Sequence, residues 1–194
     1  MTPRCETLTG AAISSAIEDL ARLRTEVFRD WPYLYDGDPA NESKYLRSYR
    51  NTPNAILIAA MDGDRVVGCA TGMPLSHHQD ARDLPLTDLG LRLEDVFYCA
   101  ESVLLPEYRG RGLGHVFFDR REAHAKALGF KTALFCAVER PDSHPARPQN
   151  ARSLAPFWKG RGYTPRDAFV RMHWTDLGDN GPSKKQLRVW THDL

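Results

Sequence analysis

The sequence predicts an α/β fold: a single domain with a mixed central β-sheet flanked by helices. Three observations predict it. Apolar residues recur at helical spacing near the N-terminus. Two apolar runs then meet at Asp62-Gly63. Finally, an apolar strand leads through a glycine-rich turn into a helix and out into another strand. With 194 residues, 42% of them hydrophobic, the chain has material for one core, and no composition shift marks a boundary, so residues 1–194 read as one domain.

The elements follow in order. Residues 11–29 read as a helix, because Ile13, Ala16, Ile17, Leu20, Leu23 and Val27 fall at three- and four-residue steps, with Thr9 placed to cap it and Trp31-Pro32 to stop it. Glu42 to Tyr49 form a second short helix with Tyr45, Leu46 and Tyr49 on one side. The loop between them carries Tyr33, Tyr35, Asp36 and Asp38. Ala55 to Met61 and Arg65 to Thr71 pair as a hairpin across Asp62-Gly63. Residues 74–93 show no periodicity, which at that length marks a functional or mobile loop. Asp95 to Leu105 read as one long strand ended by Pro106, Gly112 to Leu128 as a helix closed by Gly129, and Lys131 to Val138 as a strand. A proline-rich loop at 141–148 precedes a short helix over Asn150 to Lys159, interrupted by Pro156, and two last strands at 166–175 and 186–190.

Composition excludes several classes. Lys+Arg number 26 against 25 Asp+Glu, a balance that speaks against a general nucleic-acid binder. No apolar run approaches the roughly 18 residues of a membrane span, and no apolar segment of a secretory signal follows Met1, so no membrane partner and a cytoplasmic location are expected. Cys5, Cys69, Cys99 and Cys136 form no CxxC pair, and the last three lie in apolar runs where a free buried thiol is the ordinary state.

The chemistry is concentrated between Glu101 and Gly114. Glycines at 110, 112 and 114 let the backbone turn sharply and bring several N–H groups together at a helix N-terminus, where unpaired donors and the helix dipole favour an anion; Arg109 and Arg111 add positive charge. A P-loop is excluded because no Gly-Lys-Ser/Thr is present, and the dinucleotide fingerprint because its third glycine is misplaced. On glycines alone a tight turn with no ligand stays open.

The wider pattern, Val103 to Gly114 with Arg109-Gly-Arg-Gly112-Leu-Gly114 at its end, resembles motif A of the GCN5-related N-acetyltransferase (GNAT) superfamily. The stretch from Asn150 through Phe157 and Trp158 to Gly162 and Tyr163 is similar to a later block of that family. The resemblance is close over 96–163 and loose over 1–90, and implies a single GNAT-like domain. It implies a coenzyme A cradle at Arg109, Gly110, Arg111, Gly112, Leu113 and Gly114. It also implies that the pantetheine arm pairs with the backbone of Val103 and Leu104 beside a strand bulge, with Asn150 and Trp158 contributing from the later block. The implied activity is acetyl transfer from acetyl-CoA to a primary amine, of a small molecule or a peptide, by direct attack in a ternary complex. No metal is expected, and the chain is expected to be a monomer or homodimer.

An alkyl amine is protonated at neutral pH, so a group must take its proton. Glu101 is the candidate base, the alternatives being that it only positions the acceptor ammonium or caps a strand end; Glu94, Asp95 and Tyr98 are its rivals on the same strand. Many family members place a tyrosine acid where this sequence has Trp158, whose indole N–H cannot give up its proton. Tyr163, Tyr98 or water is then left to protonate the sulfur, or the step needs no dedicated acid, and Trp158 reads equally as a packed aromatic. Tyr33, Tyr35 and Asp36 are expected on the acceptor side together with His144 after the last motif strand, although Asp-Gly-Asp-Pro is also ordinary turn chemistry. Two further readings remain: a non-catalytic acyl-CoA-binding module on the same fold, and a metal-dependent hydrolase built on His77, His78 and Asp80.

Overall fold

The computed structural model describes residues 3–194, apart from the side chains at positions 43, 44, 48 and 80. The elements are β1 (Arg4–Thr9), a 3₁₀ turn (Gly10–Ala16), α1 (Ile17–Val27), α2 (Pro39–Asn51), β2 (Ile56–Asp62), β3 (Arg65–Pro74), β4 (Val96–Tyr98), β5 (Ser102–Leu104), α3 (Leu113–Ala127), β6 (Thr132–Glu139), α4 (Ala155–Gly160), β7 (Thr164–Trp174) and β8 (Ser183–Asp193). The strands form one mixed sheet in the order β1-β2-β3-β4-β6-β8-β7, with β5 also on β3. Among the described strands only β4 and β6 run parallel, and α3 makes the crossover between the two halves of the motif. Strands β2 and β3 are buried almost throughout, on alternate positions facing both ways, so both faces of the sheet are covered.

Several boundaries differ from the sequence reading, each for a local reason. The first helical segment divides: Gly10 takes φ +54 and begins a 3₁₀ stretch, Ser15 Oγ bonds back to the Ala12 carbonyl, and α-helix starts only at Ile17. Thr9 makes no side-chain cap and instead ends β1, an edge strand the sequence reading did not include. The second helix starts early because Asp38 accepts from Asn41 N at 3.2 Å and Pro39 occupies its first turn. Pro156 likewise lies in the first turn of α4, where its missing N–H costs no intrahelical bond, so it begins that helix rather than interrupting it. Residues 74–93 are packed, not bare: Leu75 and Leu84 are buried in a second core with Val96, Tyr98, Leu134, Val170 and Val189.

The expected long strand from Asp95 to Leu105 breaks in two, and the break makes the site. Tyr98 sits opposite Leu134 of β6, and Cys99 N–H still reaches the Leu134 carbonyl at 2.8 Å. Then Ala100 and Glu101 both face Thr71, with Ala100 N–H on Thr71 O at 3.2 Å and Thr71 N–H on Glu101 O at 3.0 Å, which is a β-bulge. Past it β5 pairs with β3 alone and β6 with β8 alone, so the two strands splay apart. Beneath the bulge the buried guanidinium of Arg121 on α3 donates to both carbonyls, Thr71 O at 3.2 Å and Glu101 O at 3.0 Å.

Candidate active site

The glycine-rich turn leaves β5, passes one 3₁₀ turn at Pro106–Tyr108 and enters α3. Gly110 and Gly112 have φ +75 and +82, the left-handed region that a side chain strains, and open space lies where their Cβ atoms would be. Among the described residues the N–H groups of Gly110, Arg111, Gly112, Leu113 and Gly114 take no backbone acceptor. These donors lie at the positive end of a 15-residue helix, where an anion such as a pyrophosphate is favoured. Arg109 donates to the Leu104 carbonyl at 3.2 Å, and Arg111 lies over the Tyr108 ring while donating to Glu107 O. Next to the cradle, the edge of Val103 and Leu104 that faces β6 is left without a strand partner by the splay.

At the bulge, Glu101 is 5% exposed and its carboxylate is fully engaged. One oxygen accepts from Arg24 at 2.7 Å and Tyr45 at 3.3 Å, the other from Tyr49 at 3.0 Å and the Thr71 hydroxyl. Arg24 also binds Glu42, which accepts from Tyr35 at 2.7 Å. Burial alone would lower the Arg24 pKa, but the charges of Glu101 and Glu42 outweigh it and raise the pKa above the ordinary arginine range. In this ion-pair cluster two carboxylates face Arg24, while the next buried cation, Arg121, is bonded to backbone carbonyls beneath the bulge. Tyr45 continues the chain of polar groups, its hydroxyl 3.0 Å from His78 Nε2, and the His78 ring packs on Tyr98 at 4.5 Å.

The other candidates are dispersed. Glu94 and Asp95 lie toward the surface in ion pairs with Arg92 and Lys131. Tyr163 is buried and donates to Glu122 of α3 at 3.2 Å, and burial drives its phenol far above the usual range. Trp158 packs at 5.0 Å between Phe135 and Trp190, as an aromatic of the core edge. Asn150 is exposed.

The loop from Trp31 to Asp36 lies against the ends of β6 and β7. The Tyr33 ring stacks on Phe28 at 4.2 Å and near Trp174 at 6.1 Å, while its carbonyl accepts from Arg140 and the Trp174 indole. Burial pushes the Tyr33 phenol up to about 12. Tyr35 bridges to Asp176, Asp36 pairs with Arg29 at the surface, and the His144 ring is 5.4 Å from Trp31. Arg140 grips Asp176 with two bonds at 2.7 and 2.9 Å, and Lys185 adds a third contact at 3.1 Å.

The sequence profile of the Acetyltransferase (GNAT) family matches residues 18–148, two thirds of the chain and all of the segment that builds the cradle, the bulge and the Glu101 cluster. The chain belongs to the GNAT acetyltransferase family. Solved structures share the fold at low identity. One is yncA from Salmonella typhimurium, determined with its cofactor acetyl-CoA, at 12% identity and TM-score 0.62, covering 100% of this chain and 95% of that one. A phosphinothricin acetyltransferase from Sinorhizobium meliloti in complex with acetyl-CoA matches at 16% and 0.60, covering 100% and 89%. The PaiA N-acetyltransferase of Thermoplasma acidophilum in complex with coenzyme A matches at 12% and 0.57, covering 100% of both chains. No curated protein matches the sequence.

Within this GNAT domain the sequence reading missed the residues that surround Glu101. Arg24, Glu42, Tyr45, Tyr49, Thr71 and His78 come from four separate segments, and apart from the shared α2 face of Glu42, Tyr45 and Tyr49 no local spacing links them. The metal reading finds no support: His77 is exposed while His78 is buried on Tyr45, the Asp80 side chain lies outside the described residues, and among the described residues no three metal-type side chains come together. None of the described helices is long and apolar enough to cross a membrane.

Proposed function

We propose that this acetyltransferase moves the acetyl group of acetyl-CoA to a primary amine, of a small molecule or a peptide, by direct attack within a ternary complex. The observation that carries the reading is the pairing of an open N–H cradle at 110–114 with a strand edge at Val103 and Leu104 bared by the splay. The residues fit the group: positive-φ glycines keep side chains out of the cradle, and Arg109 and Arg111 flank it. Acetyl-CoA, when bound, supplies a thioester, a good acyl donor with a thiolate leaving group.

The chain's own residues do the rest. The carboxylates of Glu101 and Glu42, two against the one cation ion-paired to them, draw an ammonium toward the bulge. Every lone-pair position of Glu101 is taken, so it must give up a hydrogen bond to accept a proton. Tyr45 is its route outward: it lies within reach of both Glu101 and His78, so a proton taken at the carboxylate is passed to the imidazole through the phenol. For the thiolate no dedicated acid is assigned, because Tyr163 already donates to Glu122 and Trp158 cannot release its proton.

A thiol-release assay with acetyl-CoA and a panel of amines tests this. Turnover of at least one amine is expected; tight acetyl-CoA binding with no turnover on the whole panel instead favours the non-catalytic module.

A further inference from the structure

The acceptor face carries a second buried ion cluster, and its sign is opposite. Arg140 and Lys185, with side chains 8% and 3% exposed, share the single carboxylate of Asp176. Lys184 adds a third cation with no ion-pair partner among the described residues. Glu139, the nearest carboxylate on β6, is already taken by Arg188. The cations thus outnumber the shared carboxylate beside a groove of about 430 Å³ that Arg140, His144, Lys184 and Lys185 line together with Glu139; Lys185 Nζ is already bonded to Asp176, Trp174 O and Ser183 Oγ, so it lends charge while Arg140, His144 and Lys184 are left to meet a ligand. His144 Nδ1 accepts the Ala146 N–H at 3.2 Å, which leaves Nε2–H of the neutral ring as a donor.

The two clusters are joined by one loop. Tyr33 offers its carbonyl to Arg140 at 2.8 Å and stacks its ring on Phe28, whose other contact is the Arg24 guanidinium at 5.0 Å. The positive groove and the negative Glu101 cluster thus both meet this loop, Tyr35 bridging to Asp176 through its backbone and to Glu42 through its hydroxyl. The splay opens at Phe135, and Arg140 follows five residues on, which at ~3.3 Å per residue is about 16 Å along β6.

We infer that the acceptor of this enzyme carries an anionic group, a carboxylate or a phosphate, many bonds away from its amine, with the anion held in the Arg140–His144–Lys184–Lys185 groove while the ammonium faces Glu101. The inference rests on the transferase reading above and narrows it to a class of acceptor. An α-amino acid does not fit, because its charges sit on neighbouring atoms; ω-amino acids and short peptides with a terminal or side-chain carboxylate do. Two anchors of opposite sign at such a distance also reject plain polyamines, whose second ammonium meets the cationic groove.

The test is kcat/KM by thiol release for three series of matched length: ω-amino carboxylates, ω-amino phosphonates and n-alkylamines. At the best chain length an anionic series is expected to exceed the alkylamine by about tenfold or more, the size of one charge-assisted hydrogen bond, with no gain for the two-carbon member. The Lys184→Gln/His144→Gln double variant, both positions lying at the rim, is expected to bring that ratio toward one. A gain confined to carboxylates or to phosphonates supports the groove and names its anion. Alkylamines used as well as their anionic partners, or a preference that survives the double variant, overturn the inference and leave the transferase reading standing. Failure of every amine with a protein that binds acetyl-CoA overturns both.

Discussion

Two buried ion clusters both touch the Trp31–Asp36 loop, and they are built from similar parts for different ends. Around Arg24, one cation meets Glu42 and Glu101, and the remaining bonds go to the hydroxyls of Tyr35, Tyr45, Tyr49 and Thr71. Around Asp176, one carboxylate meets Arg140 and Lys185, and the remaining bonds go mainly to backbone carbonyls, Pro32 O, Tyr33 O and Trp174 O. Hydroxyls can pass protons and rotate; carbonyls can only be held. The first cluster therefore suits chemistry at the bulge, and the second suits anchoring the loop.

That contrast is broken most forcefully at its second member. Asp176→Ala leaves Arg140 and Lys185 buried without a counter-charge, and a loss of about 3–5 kcal/mol is expected, read by urea denaturation. A loss below about 1 kcal/mol would mean that the cluster does not hold the loop. At the first member the expected effect is on rate. Glu101→Gln should lower kcat by about a hundredfold, equivalent to about 2.7 kcal/mol, with coenzyme A affinity nearly unchanged; equal turnover across pH would remove Glu101 from the proton path. Tyr45→Phe keeps the ring against Arg24 but removes the hydroxyl between Glu101 and His78. A fall of about tenfold in kcat is expected, and a kcat that does not move would show that the proton leaves another way.

The smallest effect concerns acid. Burial pushes the Asp176 carboxyl up, but hydrogen bonds and charge from Arg140 and Lys185 overcome it and hold the pKa below the ordinary range. The unfolded chain then binds the proton first, at about pH 4, so the stabilisation is complete above that pH and is lost as pH falls through the lower folded value. Stability curves of wild type and Asp176→Asn should therefore differ at neutral pH and converge in acid. Parallel curves would place the acid sensitivity elsewhere.

The same contrast shows what could be read from sequence. The glycine-rich turn into the helix was legible because its causes are consecutive: positive-φ glycines at 110 and 112, two arginines and a helix start all lie within six residues. The order of hairpin, strand, helix and strand was legible for the same reason. The bulge was not, since it is produced by Thr71 of β3 and Arg121 of α3 acting on a strand whose own residues read as continuous. Glu101 was singled out, but not its partners, because Arg24 and Glu42 are ordinary charged residues of amphipathic helices until α1 and α2 press them together. His144 and Tyr33 were placed on the acceptor side by position alone; the cation cluster beside them, spread over β6, β8 and the turn at Asp176, left no local pattern. The packing of segment 74–93 was not legible because aperiodic sequence hides two well-placed apolar anchors, Leu75 and Leu84.

The central claim is that the turn at 110–114 holds the pyrophosphate of coenzyme A through its free N–H groups. Calorimetric titration of coenzyme A into wild type and Gly112→Val, each shown to be folded by thermal melting, tests it directly. The left-handed φ of +82 at Gly112 and the open space above it predict that valine both strains the turn and enters the cradle, weakening coenzyme A by about tenfold or more. A folded Gly112→Val protein that binds coenzyme A as tightly as wild type would contradict the cradle and the acetyl transfer built upon it.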